Sequence, residues 1–139
     1  MRSVPIIVFV LISTGVTTTA GKVPSQYQKS WDAAASPYKQ ECIEETGVNK
    51  SYADRLFLYS EYHDDDNLKC YLKCLCERLE IVNISSGTWN KNEILKHISG
   101  VTDEIYKTCS DETQDESLLC QKCFDLSKCI ARHLNDATN

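Results

Sequence analysis

The stretch Asn67-Leu68-Lys69-Cys70-Tyr71-Leu72-Lys73-Cys74-Leu75-Cys76-Glu77-Arg78-Leu79 decides how this chain folds. Leu68, Leu72, Leu75, Cys76 and Leu79 fall within about 100° of one face on a 3.6-residue wheel, which predicts a helix over roughly Asn67 to Val82. Cys70 and Cys74, spaced i and i+4, lie together on the opposite face. A helix with leucines on one side and a cysteine pair on the other has two buried sides. Different partners must cover each.

Outward from that helix the periodicities stay helical. Asp64, Asp65 and Asp66 stand just before it, where a helix N-terminus wants negative charge. Upstream, Ser36-Pro37 reads as an N-cap followed by proline at the first helical position, and Gly47 closes that helix at Thr46. Asn49 to Tyr59 forms a short second helix. Downstream, Asn83 to Thr88 reads as a loop, and Asn90 to Glu93 is a capping-box pattern for a fourth helix that stops at Gly100. Thr102 starts a fifth that reaches Cys109. The last begins near Asp115, with Leu119, Cys123, Leu126, Ser127, Ile130 and Leu134 in one stripe. No repeat and no alternating β-branched run interrupts this pattern, so the expected class is all-α, with about six helices and no sheet.

A chain of 139 residues, 42% hydrophobic and 25% charged, fits one domain. Its formal charge is −5, or −6 without Arg2, and it has no basic patch. That argues against nucleic acid and against anionic membrane surfaces as partners. Met1 to Ala20 has the form of a cleaved leader, with Arg2, an apolar run from Val4 to Ile12, and small residues at Thr18-Thr19-Ala20. The run is shorter than the roughly 20 apolar residues that span a bilayer, and no later segment could serve as an anchor. The expected mature chain, 21–139, is a single secreted helical domain. In an oxidising compartment its 8 cysteines pair as disulfides.

Six of those cysteines are Cys42, Cys70, Cys74, Cys109, Cys120 and Cys129, separated by 27, 3, 34, 10 and 8 residues. With this spacing, the leader, the six helices and the Asn67 to Cys74 segment, the chain resembles the insect odorant-binding proteins, the pheromone and general odorant binders. The likeness covers essentially the whole mature chain. It implies a compact helical bundle around an apolar cavity, stapled by three interlocked bridges: Cys42–Cys74, Cys70–Cys120 and Cys109–Cys129. Spacing alone does not choose among the pairings. Cys76 and Cys123 depart from the family pattern, and both belong to apolar stripes. The expectation is a fourth bridge, Cys76–Cys123; the alternative is two free thiols packing as small hydrophobes.

The resemblance further implies a carrier and not an enzyme, without a cofactor, that reversibly binds small hydrophobic ligands and transports them through extracellular fluid such as sensillar lymph. An olfactory receptor would be the protein partner, and the carrier a monomer or weak homodimer. In the family the positions two beyond the second and third framework cysteines commonly face the ligand; here they are Leu72 and Cys76. The expected cavity wall comprises Leu68, Leu72, Cys76 and Leu79, faced by Leu126, Ser127 and Ile130. Leu56, Tyr59, Ile94, Ile98, Ile105 and Tyr106 complete it, although each also reads as plain core. Tyr59, Tyr106 or Ser127 would supply the polar handle that orients an alcohol, aldehyde or ester. Burying about 300 Å² of such a ligand gains roughly 7 kcal/mol, a micromolar affinity suited to carriage and release. Secreted non-olfactory carriers share the scaffold. A protein-binding role through the acidic surface is the reading from a different class.

Other constellations carry less. Cys74-x-Cys76 and Cys120-x-x-Cys123 have the look of a zinc site, but Cys74 and Cys76 lie on different faces and secretion oxidises thiols, so no metal is expected. No Cys-Cys-x-x-His run marks a phospholipase A2, and the cysteine spacing is not that of a lysozyme. His63, beside three aspartates, reads either as a solvated loop residue or as the proton sensor of a lid. Asn49-Lys50-Ser51 and Asn83-Ile84-Ser85 are N-glycosylation acceptors, of which Asn83, in a loop, is the better placed.

Overall fold

The computed structural model describes residues 22–136; the expected leader lies outside the described residues. Seven α-helices run in order among them: α1 (Ser25–Ala35), α2 (Lys39–Thr46), α3 (Lys50–Leu56), α4 (Asp66–Arg78), α5 (Lys91–His97), α6 (Asp103–Thr113) and α7 (Leu119–Asp136). A 3-10 turn, Ser36–Tyr38, joins α1 to α2 without a loop, so six helical segments result. The only strand-like pairing among the described residues is one antiparallel bridge, Val82 to Trp89. The fold is all-α.

Helix starts follow the capping chemistry. The Asp65 side chain accepts from Leu68 N at 2.8 Å and opens α4. Asn49, Asn90 and Thr102 do the same for α3, α5 and α6. Each such cap satisfies a backbone N–H that the helix itself leaves without a partner. Ser36-Pro37 is corrected: Ser36 has helical backbone angles and continues α1, so Pro37 sits inside a tightened junction. Proline lacks an N–H, and that junction removes the need for one.

Helix ends were harder to place. Gly47, at φ 67°, closes α2 as expected, its N–H bonding Ile43 O at 2.9 Å. α4 was expected to continue to Val82 but stops at Arg78. There Glu80 takes a left-handed φ of 58°, and Ile81 N bonds Cys76 O at 2.8 Å. That is the stop usually built on glycine, here built on glutamate. α3 likewise ends at Leu56, α5 ends at His97, and α6 runs on to Thr113.

α4 is the central element. It packs most extensively on α7 and next on α2, while α6 covers the far side of α7. Three disulfides fix these contacts: Cys42–Cys74 joins α2 to α4, Cys70–Cys120 joins α4 to α7, and Cys109–Cys129 joins α6 to α7. The fourth bridge does not form. Cys76 and Cys123 are free, buried thiols on α4 and α7, and the neighbouring Cys123 thiol together with burial pushes the Cys76 thiol up. Fully enclosed Leu56, Leu68, Tyr71 and Ile94 fill the core around them.

Candidate functional site

Beside that core lies an apolar cavity of about 50 Å³. α1 supplies Trp31, Ala34 and Ala35, and Phe57 follows α3. Leu79 caps α4, His97 and Ile98 end α5, and Ser127 and Ile130 come from α7. The small Ala34 and Ala35 side chains leave the space; Trp31 and Phe57, edge to face with centroids 6.3 Å apart, roof it. The volume has room for about three or four waters and is a third of the roughly 150 Å³ of an apolar cavity that admits benzene. A chain of ten carbons can therefore enter only if part of the wall moves.

Of the residues expected in the wall, Leu79, Ile98, Ser127 and Ile130 are there. Leu56, Leu68, Leu72, Cys76, Ile94 and Leu126 are buried in the packed core instead. Ile105 and Tyr106 are half-buried on α6, where Tyr106 carries the Lys91 ammonium 5.6 Å over its ring. Tyr59 is corrected to the surface: it is 49% exposed, with the Arg55 guanidinium 4.1 Å above its ring. Trp31, Ala34, Ala35, Phe57 and His97 were not anticipated. The first three belong to a helix whose polar sequence shows almost no apolar stripe.

A non-helical strap, residues 57–65, starts at the cavity wall with Phe57. Phe57 is part of the wall; further along, Ser60 accepts from Gln28 Nε2 at 3.2 Å. The enclosed Tyr62 hydroxyl meets Ser127 Oγ at 2.8 Å, and burial pushes that phenol up to about 12. Glu61 is held by two bonds from Arg55, at 2.8 and 2.7 Å, which keep its carboxyl below the usual range. His63 stacks on Tyr52 with centroids 4.1 Å apart, and its Nε2 lies 3.6 Å from Glu61. Its acidic neighbour is thus Glu61 and not the aspartate run, since Asp64 pairs with Lys69 and Asp65 caps α4.

Polar atoms at the cavity are few. Trp31 Nε1 donates to Ser99 O at 2.9 Å, Ser127 Oγ is engaged by Tyr62, and His97 Nε2 bonds Glu93 Oε2 at 3.0 Å. Nothing here resembles a nucleophile with its base. Cys74 and Cys120, two sulfurs of the zinc reading, are held in bridges to Cys42 and Cys70. Both sequon asparagines are exposed: Asn83 Oδ1 organises its loop through Ser85 N and Ser86 N, and Asn49 caps α3. No helix among the described residues is long and apolar enough to cross a membrane.

The pattern of the PBP/GOBP family matches residues 24–133. Among curated proteins, the chain is similar to odorant-binding protein 22 of Aedes aegypti, 24% identical over 100 residues, which are 69% of this chain and 71% of that one.

Proposed function

This chain belongs to the PBP/GOBP family, and from that premise we propose that it is a secreted carrier of small apolar molecules, odorants or pheromones, which it binds reversibly and delivers to receptors. The observation that carries the reading is the cavity between α1, α5 and α7, whose wall is apolar apart from His97 and Ser127. Binding needs no covalent step. Transfer of alkyl surface from water supplies the free energy, at about 25 cal/mol per Å². The leader form of Met1 to Ala20 supports secretion.

Trp31 reports on this directly, because its ring lines the cavity. Titration with straight-chain alcohols of about six to ten carbons is expected to give a saturable change in tryptophan emission at micromolar ligand. Trp31→Phe should abolish that change while equilibrium dialysis still shows retained ligand. If dialysis retains no apolar compound, the carrier reading fails. A salt-sensitive complex with another protein would then favour the acidic-surface reading.

A further inference from the structure

His97 is the polar group of the cavity whose partner is itself charged. Its Nε2 lies 3.0 Å from Glu93 Oε2, one turn earlier on α5. A carboxylate can only accept, so the neutral imidazole carries its proton on Nε2. Nδ1 is then a bare lone pair, and among the described residues no other hydrogen bond reaches this ring. The ring borders the cavity. The neighbouring donor is already committed, since Trp31 N–H is given to Ser99 O at 2.9 Å. Ser127 Oγ and the Tyr62 hydroxyl satisfy each other at 2.8 Å. His97, a residue of the wall, therefore keeps one unpaired ring nitrogen, and that nitrogen is an acceptor.

We infer that the Glu93–His97 pair makes this cavity selective for ligands that bring a hydrogen-bond donor, primary alcohols foremost, over ketones and ethers of the same chain length. The inference rests on the carrier reading and gives it a ligand class. The alcohol hydroxyl donates to His97 Nδ1 while its chain lies against Phe57, Leu79, Ile98 and Ile130. A ketone or ether places its own lone pair against that of Nδ1, and neither is satisfied. Glu93 acts as a positioning residue: it keeps the proton on Nε2 and the ring in place.

The test is equilibrium dialysis of 1-octanol, 2-octanone and methyl octyl ether in mildly alkaline buffer. The wild-type protein is expected to favour the alcohol by roughly three- to tenfold, the worth of one hydrogen bond. His97→Leu should erase that preference, weakening the alcohol and strengthening the ether. Glu93→Gln, whose amide can donate or accept, should reduce the preference by releasing the ring to carry its proton on either nitrogen. Should His97→Leu fail to fold, nitrogen NMR of the histidine rings in the wild-type protein decides. One imidazole protonated on Nε2 must shift at Nδ1 when octanol is added and not when the ether is added. Equal binding of all three compounds overturns the inference and leaves the carrier standing. So does a preference that survives His97→Leu and disappears in Ser127→Ala. If none of the three binds, the carrier reading itself falls.

Discussion

Cys76 and Cys123 show what a pair of residues contributes when it stops short of a covalent bond. The two thiols sit at 8% and 0% exposure, each in its helix stripe, and pack as small apolar groups. The purified protein should weigh six hydrogens less than its reduced form, as three bridges require. Iodoacetamide should leave both thiols untouched in the native state and modify both after denaturation; a mass lower by two further hydrogens would contradict this. Tyr62 makes the complementary case for a polar group. Burial pushes its folded phenol up to about 12 from an ordinary 10.0, so the tether to Ser127 is intact below the unfolded value. Stability is then lost as pH rises from about 10 through about 12. Tyr62→Phe should flatten that alkaline loss and destabilise the protein by about 1 kcal/mol, read by denaturant unfolding at two pH values.

At the scale of elements, most starts are legible in the sequence, Ser36-Pro37 and the late start of α7 at Leu119 excepted, and of the stops Gly47 alone is announced. Asp65, Asn90 and Thr102 each cap the helix that follows, because an N-cap is one side chain bonding one nearby N–H. The end of α4 rests on Glu80 in a left-handed conformation, which tertiary packing of Ile81 enforces and no local signal announces. α1 carries no local signal, because Ser-Gln-Tyr-Gln-Lys-Ser-Trp-Asp buries Gln28 and Trp31 without any leucine stripe. Three of the nine wall residues, Trp31, Ala34 and Ala35, come from this helix. On α4 and α7 the apolar stripes named the buried face correctly, yet a stripe looks the same whether space or a neighbour lies beyond it. Hence Leu68 and Leu72 proved to be core, and Leu79, Ser127 and Ile130 wall. Phe57 also escaped notice, since it belongs to the strap and to no helix. Phe57→Ala should enlarge the cavity, shift preference toward ligands two or more carbons longer, and cost about 3 kcal/mol or less because the ring is only partly buried. Dialysis across a series of alcohol lengths checks the first, denaturant unfolding the second.

For the molecule as a whole, the distribution of cross-links matters more than their number. All three bridges fall among α2, α4, α6 and α7, while α1, α3 and α5 contain no cysteine. By the chain-entropy relation the Cys70–Cys120 loop, with a separation of 50, contributes about 4 kcal/mol and the Cys109–Cys129 loop, at 20, about 3. Native hydrogen exchange should accordingly find α4 and α7 slowest and α1 and α5 markedly faster; uniform protection would contradict this. α1 and α5 are also linked to each other, through Trp31 to Ser99 O at 2.9 Å and Ser30 to Ser99 at 2.6 Å. The cavity thus works like a vice with one bolted jaw and one sprung jaw. Leu79, Ser127 and Ile130 stand on the bolted side; Trp31, Ala34, His97 and Ile98 ride together on the other. Opening for a longer cargo is expected on the sprung side, where no disulfide holds the wall.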